Sequence, residues 1–71
     1  MNTATKTIEF GSFCIEMYAR QHKISGAAVA RRFEQYGVID YLLANYEALH
    51  TQGWNYIFPL LEEFMAGQEE K

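Results

Sequence analysis

The sequence has one cysteine, one proline and no excess of positive charge. Because Cys14 has no second cysteine to pair with, a disulfide within the chain is excluded. Lysine and arginine total 6 against 9 acidic residues, which gives a net charge of −3. The sequence therefore lacks the basic character with which nucleic-acid-binding proteins attract phosphate, and we expect nucleic acid not to be the partner.

Long hydrophobic runs are also missing. The first thirteen residues, MNTATKTIEFGSF, contain one early lysine and no continuous apolar segment. We therefore expect neither a signal peptide nor a membrane span. A reduced, cytoplasmic location follows as an expectation.

The composition is that of a small folded protein. Hydrophobic residues make up 49% of the 71 residues and aromatic residues 15%, so we expect one domain spanning residues 1–71. A single core of this size gives roughly 3–5 kcal/mol of stability, and small domains often rely on disulfides, metals or association. His22 and His50 have no Cys, Asp or Glu nearby at metal-ligand spacing. We therefore expect no metal and no cofactor, and a cognate protein or a second copy of this chain as the partner.

Apolar residues recur at spacings of three and four, which predicts helices. The first is predicted over about 6–22. Ser25 is a good N-cap for a second helix over about 26–36, and Gly37 is the residue that would end it. The apolar stripe of the first helix consists of Phe10, Phe13, Cys14, Met17 and Tyr18.

Two further helices complete the prediction. The third is expected over about 38–50, with Gly53 as its stop. In the last segment Pro59 lacks an amide hydrogen and disfavours helical dihedrals at Phe58. We therefore expect a regular helix from about Pro59 to Ala66 or Gly67, preceded by an irregular or single-turn segment over 54–58. The predicted fold is all-α, a small bundle of three main helices and a shorter C-terminal helix.

The sequence offers no catalytic constellation. A nucleophile needs a base within hydrogen-bond reach, whereas Cys14 lies between Phe10 and Tyr18 in an apolar stripe and is expected to be a packing residue. Glu62 and Glu63 are adjacent, so they do not face one site on a helix and are interpreted as a solvated face. We expect the protein not to be an enzyme.

A basic corner supports a rival hypothesis. A short turn between two helices is typical of helix-turn-helix DNA readers, and the residues that would carry such a role are Arg20, Lys23, Arg31 and Arg32. The second helix otherwise offers mostly alanines. A small helix-turn-helix-like DNA-binding regulator is therefore the alternative to a protein-binding module.

Aromatic residues are more numerous than the core requires. Phe10, Phe13, Phe33, Tyr46 and Phe64 are interpreted as core. The remaining rings do not all fit behind four short helices, and Tyr and Trp are enriched in binding hot spots. We predict one partner-binding patch near the corner between the third and last helices, although these rings would alternatively pack the final connection onto the bundle. The patch consists of Tyr41, His50, Thr51, Trp54 and Tyr56.

Three segments carry a family resemblance. They are FCIEMYA at 13–19, the IS-x-x-x-V turn at 24–29, and FEQYGVIDYLLANYEALHTQG at 33–53. In order and spacing they resemble a bacterial family of small proteins of unknown function, DUF3791. The resemblance implies an antitoxin or immunity-type partner of ADP-ribosyltransferase-like toxins. Pro59 departs from the acidic amphipathic helix with which the family pattern ends.

Overall fold

The computed structural model describes residues 3–69, which contain helices and no strand. The predicted all-α class is therefore confirmed. The helices are α1 (Thr3–His22), α2 (Gly26–Gln35), α3 (Val38–Ala44), α4 (Tyr46–Leu49) and α5 (Trp54–Glu69). None of the helices in the described part of the chain combines the length and hydropathy of a membrane span.

Helix α1 ends at His22 as predicted, but it begins at Thr3 rather than near Lys6. The apolar stripe that defined the prediction starts later than the helix, because a formed helix extends into polar residues at little cost. Its C-terminus is closed by a Schellman motif, in which the Ile24 amide donates to the Ala19 carbonyl at 3.0 Å. Lys23 supplies the left-handed residue of this motif, with a φ of 58°.

Both predicted boundaries of α2 are confirmed. The Ser25 side chain accepts a hydrogen bond from the Ala28 amide at 3.1 Å, which satisfies one of the free amides of the first turn. Gly37 has a φ of 72° and joins α2 to α3. Because this left-handed conformation penalises a Cβ, glycine fits the position.

The predicted third helix over 38–50 is wrong as one continuous element, because it bends at Asn45 between α3 and α4. The Asn45 backbone has φ −112° and ψ 19°. Its side-chain amide donates to the Tyr41 carbonyl at 2.9 Å, beside its own backbone amide at 3.1 Å. An asparagine side chain that bonds to nearby backbone competes with the regular helix, which explains the break.

The prediction that α5 starts near Pro59 is also wrong, and so is its expected shortness: α5 begins at Trp54 and is 16 residues long. The Gly53 carbonyl accepts from the amides of Tyr56 and Ile57 at 3.0 and 3.1 Å, so the first turn is regular. Proline inside a helix costs about 3 kcal/mol. Each apolar side chain that α5 buries contributes about 1.5–3 kcal/mol, so several together outweigh that cost. Asn55, whose carbonyl loses its partner at Pro59, lies on the exposed side with it.

The core lies where α1, α2, α3 and α5 meet, and α4 contributes Leu49 to it. Its buried residues in the described part of the chain are all apolar, aromatic or small: Cys14, Tyr18, Ala19, Val29, Phe33, Val38, Leu42, Leu49, Ile57, Leu61 and Met65. Phe10, Tyr46 and Phe64 are only partly buried. Phe13, which the sequence placed in the core, is 43% exposed, because the buried side of α1 is centred on Cys14 and Tyr18.

Candidate partner-binding surface and polar cluster

The corner between α4 and α5 contains three of the five residues predicted to bind a partner. His50 and Thr51 are exposed there, and Trp54 is half-buried. The His50 ring stacks on Tyr46, with ring centroids 4.3 Å apart and planes inclined by 10°. His50 Nδ1 lies 2.8 Å from the Tyr46 carbonyl oxygen, which can only accept, so Nδ1 carries a proton. The other ring nitrogen, Nε2, takes no part in this contact.

Phe13 links His50 to Trp54. It shares a shallow recess with His50 and Gln52, and it packs edge-on against the Trp54 ring with centroids 6.2 Å apart. The Trp54 ring also contacts Phe58 at 5.7 Å. Its Nε1 is buried and has no hydrogen-bond acceptor among the described residues. This corner is thus a mixed surface of exposed imidazole, hydroxyl and aromatic edges.

Tyr41 and Tyr56 do not lie on this corner. Tyr41 stacks on Phe64 with ring centroids 4.3 Å apart, and Phe64 follows Trp54 by ten residues, about 15 Å along a helix. Tyr56 is 55% exposed, but it lies two residues after Trp54 and so points to nearly the opposite side of α5. The structure does not bring the five residues into one patch, and their binding of a partner stays a prediction.

A polar cluster joins α1 to α5, and the sequence did not predict it. The Tyr18 hydroxyl donates to Oε1 of Glu62. His22 Nε2 lies 3.4 Å from the same oxygen, and the His22 ring stacks on Tyr18 with centroids 4.5 Å apart. Glu62 is therefore half-exposed and bonded to α1 rather than a purely solvated residue, whereas Glu63 is exposed as expected. Helical spacing could have predicted this position. Glu62 follows Phe58 by four residues and precedes Met65 by three, so it lies on the side of α5 that faces the bundle.

Burial, followed by the hydrogen bond and negative charge of Glu62, raises the pKa of Tyr18 to about 12. Arg32 opposes this shift, since its charge and hydrogen bonding favour the phenolate. A phenol with so high a pKa is protonated at neutral pH and acts as a donor rather than as a base. The cluster is thus suited to holding two helices together.

Cys14 is fully buried, as predicted. Burial raises the pKa of its thiol to about 12, so the nucleophilic thiolate is scarce at neutral pH. Within residues 3–69, no group of three or more His, Cys, Asp or Glu side chains is placed to hold a metal ion.

Two arginines of the predicted basic corner are ion-paired. Arg20 lies 3.5 Å from Glu16, and Arg32 lies 3.6 Å from Glu69 while its guanidinium sits over the Tyr36 ring at 5.4 Å. Pairing with carboxylates reduces the positive potential that these arginines present to solvent.

Comparison with known proteins places the chain in a family. No curated protein and no solved structure matches it. A family model described as "Protein of unknown function (DUF3791)" matches residues 9–68, which include every helix except the first turns of α1 and the end of α5. The chain therefore belongs to the DUF3791 family.

Proposed function

We propose that this chain is a non-enzymatic protein-binding module, in the form of an antitoxin or immunity-type partner of a toxin-like, ADP-ribosyltransferase-like enzyme. The toxin-like identity of the partner comes from the family resemblance described above. A role beside such an enzyme implies a cytoplasmic location for this chain.

The observation that carries the proposal is a continuous exposed apolar surface. Ile8 is 67% exposed, and it shares one recess with Phe13 and another with Leu43, which are 43% and 46% exposed. Single exposed apolar residues are ordinary on soluble proteins. Contiguous ones are instead typical of interaction sites. The net charge of −3 further favours a partner with a basic face.

The alternative, a DNA-binding regulator, has less support. Its basic corner would have to attract phosphate, but Arg20 and Arg32 already face carboxylates. At about 150 mM salt we expect no tight, sequence-selective shift of the gene's own promoter. Sub-micromolar, competitor-resistant binding that is lost in the Arg31→Ala, Arg32→Ala double variant would favour the regulator instead.

The direct test pairs this chain with the protein encoded by the neighbouring gene. We expect the two to form a complex with a Kd below about 1 μM by calorimetry, and this chain to suppress the partner's toxicity on co-expression. If the neighbour neither binds nor loses toxicity, the antitoxin proposal fails. Thr51→Glu, at the exposed α4–α5 corner, tests whether that corner contacts the partner protein.

A further inference from the structure

An apolar groove runs between α1 and α3, away from all five residues that the sequence selected. Its volume is about 220 Å³, and none of the residues lining it is charged. Ile8 and Ile15 form one wall, and Ile39 and Leu43 form the other. We call this feature the α1–α3 groove.

The floor of the groove is open rather than filled by the protein itself. Gly11 lies between Ile8 and Ile15, and a Cβ built on it would meet no heavy atom within 4 Å. Ile8 and Leu43 are largely exposed, and Ile15 and Ile39 are only half-buried. No other helix of the described residues 3–69 lines this groove.

The dimensions of the groove suit a helix. Ile8 and Ile15 are seven residues apart, so they lie on one side of α1 and about 10 Å apart along its axis. Apolar anchors at positions i, i+3 or i+4 and i+7 of a docked helix cover the same length.

The charges beside the groove indicate what kind of helix it would bind. Beyond Ile8, the neighbouring recess contains Glu9 and Glu16 and no basic residue. Beyond Ile15 and Ile39, the next recess contains Glu34 and Asp40 against the single Arg31. A third recess shares Ile15 with the groove and contains Lys23 and Arg20, and Arg20 is paired with Glu16. The flanking charges outside this ion pair are therefore three carboxylates, Glu9, Glu34 and Asp40, against Arg31 and Lys23.

We infer that the α1–α3 groove binds an amphipathic helix of a partner protein, with apolar residues filling the groove and lysines or arginines facing the flanking carboxylates. This inference rests on the proposed function as a protein-binding module and adds the place and the chemistry of the partner. A second copy of this chain would set the same carboxylates against each other, which disfavours a symmetric dimer through this face.

The test uses two synthetic peptides of about 18 residues, long enough to form helices. Both carry leucine at i, i+3, i+4 and i+7, and one has lysine at its flanking positions where the other has glutamate. Amide chemical shifts of the full chain are followed during titration with each peptide. We expect the lysine peptide to bind and to shift the amides around Ile8, Ile15, Ile39 and Leu43, and the affinity to fall as salt increases. We expect the glutamate peptide to bind at least about tenfold more weakly.

Variants locate the binding. Ile8→Ser should weaken binding of the lysine peptide at least about tenfold with no loss of melting temperature, because Ile8 is an exposed anchor. Ile24→Ser is the matched control, since Ile24 is a 44% exposed isoleucine outside the groove, and it should bind as the original chain does. Equal binding of both peptides, shifts confined to another face, or equal effects of Ile8→Ser and Ile24→Ser would overturn the inference.

Two further outcomes separate this inference from the proposed function. Self-association of the chain that Ile8→Ser abolishes would make the groove an interface between copies and would overturn the inference. Undiminished binding of the neighbouring gene's product by Ile8→Ser would also overturn it and leave the proposed function standing. Peptide binding in the groove without any complex with that product would instead support the groove and reject the antitoxin proposal.

Discussion

The Tyr18 hydroxyl donates a hydrogen bond to the Glu62 carboxylate, which lies 44 residues later in the chain. The Tyr18 ring is 2% exposed, whereas Glu62 reaches solvent. The bond therefore joins a core side chain to a surface side chain. It fixes the rotation of α5 about its own axis relative to α1.

Replacing this donor is the first test. Tyr18→Phe should lower the free energy of unfolding by about 1–2 kcal/mol, because a hydrogen bond to a charged group is lost while the ring remains. Urea denaturation measures the change. Tyr41→Phe is the matched control, since its ring stack on Phe64 is kept and a smaller effect is expected. Equal effects of both substitutions would show that the Tyr18–Glu62 bond contributes little.

The same tyrosine predicts a dependence on alkaline pH. The folded-state pKa of Tyr18, about 12, lies above the ordinary value of 10.0, mainly because of burial and next because of Glu62. Stability from the protonated phenol is therefore complete below about pH 10 and is lost as the pH rises through 12. Unfolding measured from pH 8 to 12 should show a shallower decline in Tyr18→Phe than in the original chain. Parallel pH profiles would contradict the assignment.

A substitution at Gly37 would introduce backbone strain but no steric clash. A Cβ at this position meets no heavy atom within 4 Å, but the φ of 72° is left-handed. Gly37→Ala should therefore cost about 1–2 kcal/mol of unfolding free energy. Gly67→Ala, in equally open space but inside α5, should instead stabilise the protein by up to about 1 kcal/mol. The two substitutions should have opposite signs in thermal unfolding.

Lys23 is the opposite case, because replacing it with glycine would remove backbone strain. It adopts a φ of 58° with a Cβ present, so Lys23→Gly should stabilise the protein by about 0.5–1 kcal/mol. Gln21→Gly, two residues earlier and still inside α1, should destabilise it by a similar amount. A lower melting temperature for Lys23→Gly would indicate that the lysine side chain contributes more than its backbone strain costs.

Cys14 should react slowly in the native protein. Its thiol is fully buried and its pKa is raised to about 12, so both access and ionisation are limited. At pH 8 we expect labelling by a disulfide reagent to be far slower in buffer than in guanidinium chloride. Native labelling as fast as that of the denatured chain would refute burial of the thiol.

Local signals in the sequence predicted the boundaries that depend on one or two residues. Ser25 begins α2 because its hydroxyl satisfies a neighbouring amide, and Gly37 ends it because its φ is positive. Both effects act over at most three residues, so no tertiary information was needed.

Features that depend on distant residues were not predictable in this way. Pro59 stays within α5 because core burial outweighs the loss of one hydrogen bond. The break at Asn45 is local, but it depends on a side-chain rotamer that the sequence does not specify. Glu62 bonds to Tyr18, and Tyr41 stacks on Phe64, only after the helices dock. The five residues of the predicted patch do not lie together, because the docking of the helices decides which rings reach solvent.

The position of α5 in the core has a consequence for synthesis. Ile57, Leu61 and Met65 are buried to within 2% exposure, and all three belong to the last helix of the described chain. A nascent chain that has released only α1 to α4 therefore leaves the Tyr18 ring without its contact to Phe58 and its hydroxyl without the acceptor Glu62. We therefore expect native packing during synthesis to require the release of α5, because apolar surface that is exposed before the last core helix is available favours aggregation.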